Sequence, residues 1–127
     1  MPYVARFCDQ TSVVEASYTG QVTSRDLKLA AQEILELLKL HGVSRVLADC
    51  SDMVGGHTVF DLYALADWLK HTAPYVREAV VLSRTDHADE AVQFWATTCR
   101  NRGIAVRVFR DRDSAREWLH RFPRSQN

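Results

Sequence analysis

Short runs of β-forming residues alternate along the chain with longer stretches whose apolar positions recur every three or four residues. Tyr3–Cys8 and Val13–Tyr18 are rich in aromatic and β-branched residues, with the polar Asp9-Gln10-Thr11-Ser12 between them. They predict a β-hairpin. Gly20 is expected to end the second strand. Thr23 or Ser24 then offers a helix N-cap, with Asp26 in the first turn, where the helix dipole favours a negative charge. Leu27, Ala30, Ala31, Ile34, Leu37, Leu38 and His41 follow at helical spacing, and Gly42 marks the stop.

Val43–Ala48 reads as a buried strand of the kind found in parallel sheets. Asp49–His57 reads as a polar, glycine-bearing loop. Thr58 caps a second helix running to about Lys70, and Pro74 blocks its continuation. Ala79–Leu82 is a third apolar run. Asp86 caps a helix over roughly Ala88–Arg102 that stops at Gly103. Ile104–Phe109 is the last strand. Asp111 or Asp113 caps a final helix carrying Ala115, Trp118, Leu119 and Phe122 on one stripe. A short polar tail occupies 123–127.

The predicted order is ββαβαβαβα. Strand and helix alternate, so right-handed crossovers and a mainly parallel sheet covered by helices are expected. The opening hairpin adds one antiparallel strand. The expectation is therefore an α/β fold with one mixed, mainly parallel five-stranded sheet and about four helices. A length of 127 residues fits one domain over 1–127.

Composition narrows the function. Sixteen basic and sixteen acidic side chains cancel, which argues against a general nucleic-acid binder. The basic residues do concentrate near the C-terminal end, from Arg100 to Arg124, as a solvated basic helix and tail. Cys8, Cys50 and Cys99 are far apart and form no C-x-x-C pair. They read as reduced thiols, with neither a zinc site nor a dithiol motif signalled. No apolar run approaches the roughly 20 residues that span a bilayer, and no signal-peptide h-region opens the chain. A cytoplasmic protein is expected.

Several short motifs, in this order and spacing, resemble the SpoIIAA-like, STAS-type domains over nearly the whole chain. They are Thr19-Gly20-Gln21-Val22-Thr23 leading into the first helix, Leu47-Ala48-Asp49 at a strand end, and Phe94-Trp95 in the third helix. Asn101-Arg102-Gly103 before Val106-Arg107-Val108-Phe109, and Ala115-x-x-Trp118-Leu119, complete the set. The resemblance is to the small uncharacterised bacterial SpoIIAA-like proteins in particular. Better-known STAS domains are anti-sigma-factor antagonists, phosphorylated on a serine just after the strand matching Val43–Ala48. Here Asp49-Cys50-Ser51 stands in that place, and Ser51 is the nearest hydroxyl. The resemblance thus implies a protein-interaction or regulatory module, with Ser51 as a candidate phosphoswitch. Gly55-Gly56-His57 intervenes before the next helix, where those antagonists begin theirs at once. The same fold class includes lipid-carrying domains, so a carrier for an apolar or lipid-like small molecule is the alternative.

In open α/β sheets, ligands bind beyond the carboxyl ends of the strands. The segment expected there offers Asp49, Cys50, Ser51, Asp52 and His57 as a candidate switch or ligand loop. A zinc site from His57, His87 and a carboxylate needs a tetrahedral geometry that two separate loops do not fix. A Cys50–His57 nucleophile needs a positive neighbour for the thiolate, and Asp49 and Asp52 act against one. Gly55-Gly56-His57-Thr58 could present N–H groups to an anion but lacks the lysine of a Walker loop. No acid–base pair or cofactor fingerprint is visible. The reading is a non-catalytic chain, without metal or cofactor.

The second helix carries the strongest binding signal. Its core stripe is Val59, Leu62, Leu65, Ala66 and Leu69. Phe60, Ala64 and Trp68 lie opposite, flanked by Tyr63, where a helix covering a sheet should be polar. Three readings are open. The stripe packs against a neighbouring helix, forms a homodimer or partner surface, or lines an apolar ligand pocket with Met53 and Val54. Leu29 and Leu40 also sit off the core face of helix one. Trp95, Cys99 and Trp118 read as packing.

Overall fold

A computed structural model describes residues 2–55, 57–82 and 89–123. Its elements run β1 (Tyr3–Cys8), β2 (Val13–Gln21), α1 (Ser24–His41), β3 (Arg45–Gly55), α2 (Val59–Thr72), β4 (Arg77–Val81), α3 (Asp89–Arg100), β5 (Ala105–Phe109) and α4 (Arg112–Leu119). The expected ββαβαβαβα order holds. One five-stranded sheet has the strand order β1-β2-β3-β4-β5. β1 pairs antiparallel with β2, and the other pairings are parallel.

That strand order dictates where the helices go. Each crossover from β2 to β5 steps to the next strand in the same direction. Right-handed connections then put α1, α2 and α3 on one face of the sheet. α4 follows the last strand and covers the other face. The core divides accordingly. The larger cluster joins Val14, Ala16, Val46, Ala48, Val80 and Val106 to Ile34, Leu38, Ala66, Leu69, Ala96 and Cys99. The smaller one joins Val13, Leu47, Ala79 and Val81 to Ala115 and Leu119 of α4.

Helices α1 and α2 both start at the carboxyl edge of the sheet with the same device. Thr23 and Thr58 accept the N3 backbone N–H at 3.1 and 3.2 Å, and Asp26 and Asp61 accept the cap N–H at 3.0 and 2.8 Å. Each box satisfies two of the donors that a helix start leaves free. Gly42, at φ 63°, closes α1 in the left-handed conformation that an L side chain disfavours. Among the described residues, no helix is long and apolar enough to cross a membrane.

Two expected boundaries shift together. β2 runs past the Val13–Tyr18 segment and through Gly20 (φ 65°), the expected stop, to Gln21. β3 does not stop at Ala48 but runs to Gly55, so the expected Asp49–His57 loop is mostly strand. The extensions pair with each other, Thr19 with Asp52, Gly20 with Met53 and Gln21 with Gly55, across two register shifts. The polar residues misled because β3 is only half-buried here. Cys50 and Met53 are buried, while Asp52 and Val54 face solvent. The other boundaries move by a few residues: α3 starts at Asp89 and ends at Arg100, and β4 begins at Arg77.

Candidate functional site

The sheet face under α1, α2 and α3 is not filled. A cavity of about 90 Å³ lies between the strands and these helices. Tyr18, Ala48, Cys50, Met53, Glu78 and Val80 form its floor. Ala31, Ile34 and Leu35 of α1, Leu62, Leu65 and Trp68 of α2, and Ala91, Val92 and Trp95 of α3 form its roof. Three of the lining residues are alanines on separate elements, Ala48 on the central strand, Ala31 on α1 and Ala91 on α3, and their small side chains leave the space open. Interior voids larger than a water molecule are few in folded domains. This one is lined by apolar side chains and is partly open to solvent rather than sealed.

The walls are apolar with three polar interruptions. His57 is half-buried and its Nδ1 lies 3.1 Å from the Val22 carbonyl. A carbonyl can only accept, so it is Nδ1–H that donates there. Tyr18 is buried, and burial, with the nearby Cys50 and Glu78, holds its hydroxyl well above the ordinary tyrosine range. Glu78 is the third. It follows Val76 into β4 and shares a face with Val80, so a carboxyl sits in phase with core positions. Burial pushes its carboxyl up, and the Trp95 indole N–H, donating to Oε1 at 2.6 Å, opposes that only in part.

The five residues expected to share a loop do not converge. Asp49 lies on the α4 face of β3. Arg112 donates to its Oδ2 from Nε at 2.9 Å and Nη2 at 2.8 Å, and the Ser51 N–H donates to its Oδ1 at 3.0 Å. Burial raises the Asp49 pKa, but the Ser51 and Arg112 bonds outweigh it and leave the carboxyl below its ordinary value. Arg112 and Arg116 also reach Glu15, at 2.9 and 3.4 Å. Cys50 faces the other way, into the cavity wall, where His57 also lies. Asp52 is exposed. Ser51 sits inside β3, whereas the helix start after the strand is capped by Thr58. His87, part of the weighed zinc site, lies outside the described residues. Among those described, no three His, Cys, Asp or Glu side chains gather into a metal-ligand group.

The outer stripe of α2 splits. Phe60 is 82% exposed and Tyr63 56% exposed, and Ala64 is also exposed. Trp68 does not join them. It turns inward, half-buried against the core and in the cavity roof, with Lys28 Nζ 4.9 Å from the ring centroid. The reason is the position of α2 between α1 and α3, which cover more of its circumference than a sheet alone would. Val59, assigned to the core stripe, is instead 52% exposed, because the first turn of α2 precedes that cover. Val54 is half-exposed and outside the cavity, whereas Met53 lines it. Leu29 and Leu40 are exposed, as their off-face positions implied. Sequence reasoning missed Glu78 and saw Trp95 only as packing. A charge in phase with Val80 and Leu82 on a buried strand was the available signal.

The fold and this geometry can be set against known proteins. A family model described as SpoIIAA-like matches residues 13–120. No curated protein matches the sequence. Among solved structures, the chain is similar to an uncharacterised protein of the DUF3478 family from Shewanella loihica PV-4, which has a SpoIIAA-like fold. Identity is 16%, the TM-score is 0.56, and the match covers 92% of this chain and 91% of that one. At that identity the likeness concerns the fold alone.

Proposed function

The chain belongs to the SpoIIAA-like family, and on that premise we propose that it works by binding rather than catalysis. Its ligand is a small apolar or amphipathic molecule held between the sheet and α1, α2 and α3. The cavity carries this reading, because a partly open space with mostly apolar walls is retained where a few larger side chains would close the core. The reactive side chains of the Asp49–His57 segment are divided between the two faces of the sheet, which supports a role without chemistry.

Ala48→Leu adds three carbons to the floor of the cavity. In a void without function such filling only stabilises, by about 0.5–2 kcal/mol. The expected result is an unchanged or raised Tm together with loss of the thermal shift and of the retained mass in native mass spectrometry that a panel of short-chain amphiphiles gives with the wild type. Equal binding by the variant and the wild type would place the ligand elsewhere.

A protein-interaction role is the second reading, favoured by the exposed Val54, Val59, Phe60 and Tyr63 around the start of α2. Burying one large aromatic stabilises an association by roughly 1.5–3 kcal/mol. A second copy of the chain is the simplest partner. Size-exclusion chromatography with light scattering should then show a dimer that Phe60→Glu converts to a monomer. A wild-type monomer contradicts the dimer. A phosphoswitch at Ser51 has less support, since that hydroxyl is in a strand and not at a helix start.

A further inference from the structure

We infer that Glu78 selects the occupant of this cavity: a small molecule with an apolar body and a hydrogen-bond-donating head, an amine or an alcohol, seated against its carboxyl. This rests on the cavity being a binding site.

The comparison that carries it lies within the same protein. Two carboxylates sit in phase with core positions on β2 and β4, the two strands that flank β3, one on each face of the sheet; Glu15 is buried and Glu78 half-buried. Glu15 on the α4 face is matched by two guanidinium groups, from Arg112 and Arg116. Glu78 on the cavity face has one neutral donor, the Trp95 indole. Among the described residues no lysine, arginine or histidine pairs with it. A carboxyl has about four acceptor positions, and among the described residues the half-buried Glu78 uses one of them on the Trp95 indole. A packing role for Glu78 is better served by glutamine or leucine. The carboxyl borders the cavity, which Val46, Val76 and Val80 also line.

The chemistry of the head follows. A donor from the ligand completes the carboxyl's hydrogen bonding, and a protonated amine also supplies the missing positive charge. A carboxylate or phosphate head meets like charge in a low-dielectric site and is rejected. The size follows as well. A cavity of about 150 Å³ takes a benzene ring, so about 90 Å³ suits a chain of roughly four carbons with its head inward.

The test uses 1-butanol, n-butylamine and butanoate, which share one apolar body. Binding is read from the ¹³C-methyl signal of Met53, on the cavity floor. The wild type should bind butanol and butylamine at least tenfold more tightly than butanoate. Glu78→Gln keeps an acceptor but no charge, so it should hold butanol within about threefold and lose butylamine by about tenfold. Glu78→Leu should abolish the discrimination among heads. If butanoate binds as well as butanol, or Glu78→Gln leaves all three affinities unchanged, Glu78 does not select the ligand, although the cavity still binds. If neither these probes nor xenon moves the Met53 signal, the cavity reading itself fails. Should Glu78→Leu not fold, the glutamine variant decides alone.

Discussion

Arg112→Met is expected to lower the unfolding free energy by about 2–3 kcal/mol, and so the Tm by roughly 10 °C. Arg112 bridges two carboxylates that α4 brings against β2 and β3. Its Nη1 lies 2.9 Å from Glu15 Oε1, and its Nη2 2.8 Å from Asp49 Oδ2. Removing one partner of a buried pair costs about 3–5 kcal/mol because a charge is stranded. The loss here is smaller for two reasons. The Arg112 side chain keeps 35% of its exposure, and Arg116 still reaches Glu15. The double change Glu15→Leu with Arg112→Met should recover much of the loss, since apolar isosteres of a buried pair are often neutral. The pH dependence has a definite sign. The Asp49 carboxyl is held below its ordinary value, chiefly by the Ser51 and Arg112 bonds acting against burial. Its contribution is complete above about pH 4 and is lost as the pH falls through the lower folded value. The gap between wild type and Arg112→Met should therefore narrow on the acid side of pH 4, as read by urea unfolding at several pH values.

Leu119→Ala should cost still more, about 3–4 kcal/mol. The reason is the uneven layering. Three helices cover one face of the sheet, and the eight-residue α4 covers the other. A helix that short does not persist without packing. Its anchors are Ala115 and Leu119, both fully buried against Val13, Leu47, Ala79 and Val81. Truncating Leu119 opens a void under the only helix on that side among the described residues. The Trp118 ring packs tilted against Phe109 at 5.7 Å and edge-to-face with Phe122 at 5.0 Å, so its fluorescence should red-shift before global unfolding. Denaturant unfolding followed by fluorescence and by circular dichroism checks both. A loss under 1 kcal/mol with coincident transitions would show that α4 is not held this way.

The layout of the chain was legible because each strand and helix carries its own period and its own punctuation. Gly42 after α1, Thr58 before α2 and Pro74 after it are local signals with local causes. β3 was misread past Ala48 for a different reason. Asp49 answers a guanidinium that comes from Arg112, 63 residues away, and its polarity therefore looked like a loop. A helical wheel puts Trp68 opposite the core stripe and leaves three readings open for it, because the wheel knows one covered face, while α2 has neighbours on two sides. Glu78 passed unnoticed as the flank of a short apolar run. The cavity has no sequence signal at all, because Ala31, Ala48 and Ala91 are ordinary residues on three separate elements until the fold brings them to one cavity.

The central claim is that this space admits a guest. The chain has two methionines, and they divide the labour well. Met53 is 5% exposed on the cavity floor, and Met1 is at the chain terminus. Methyl-¹³C methionine spectra under rising xenon pressure therefore contain their own control. The expected result is a saturable shift of the Met53 signal, a small linear drift at Met1, and no saturable shift in Ala48→Leu. A Met53 signal that moves no more than that of Met1 would contradict it.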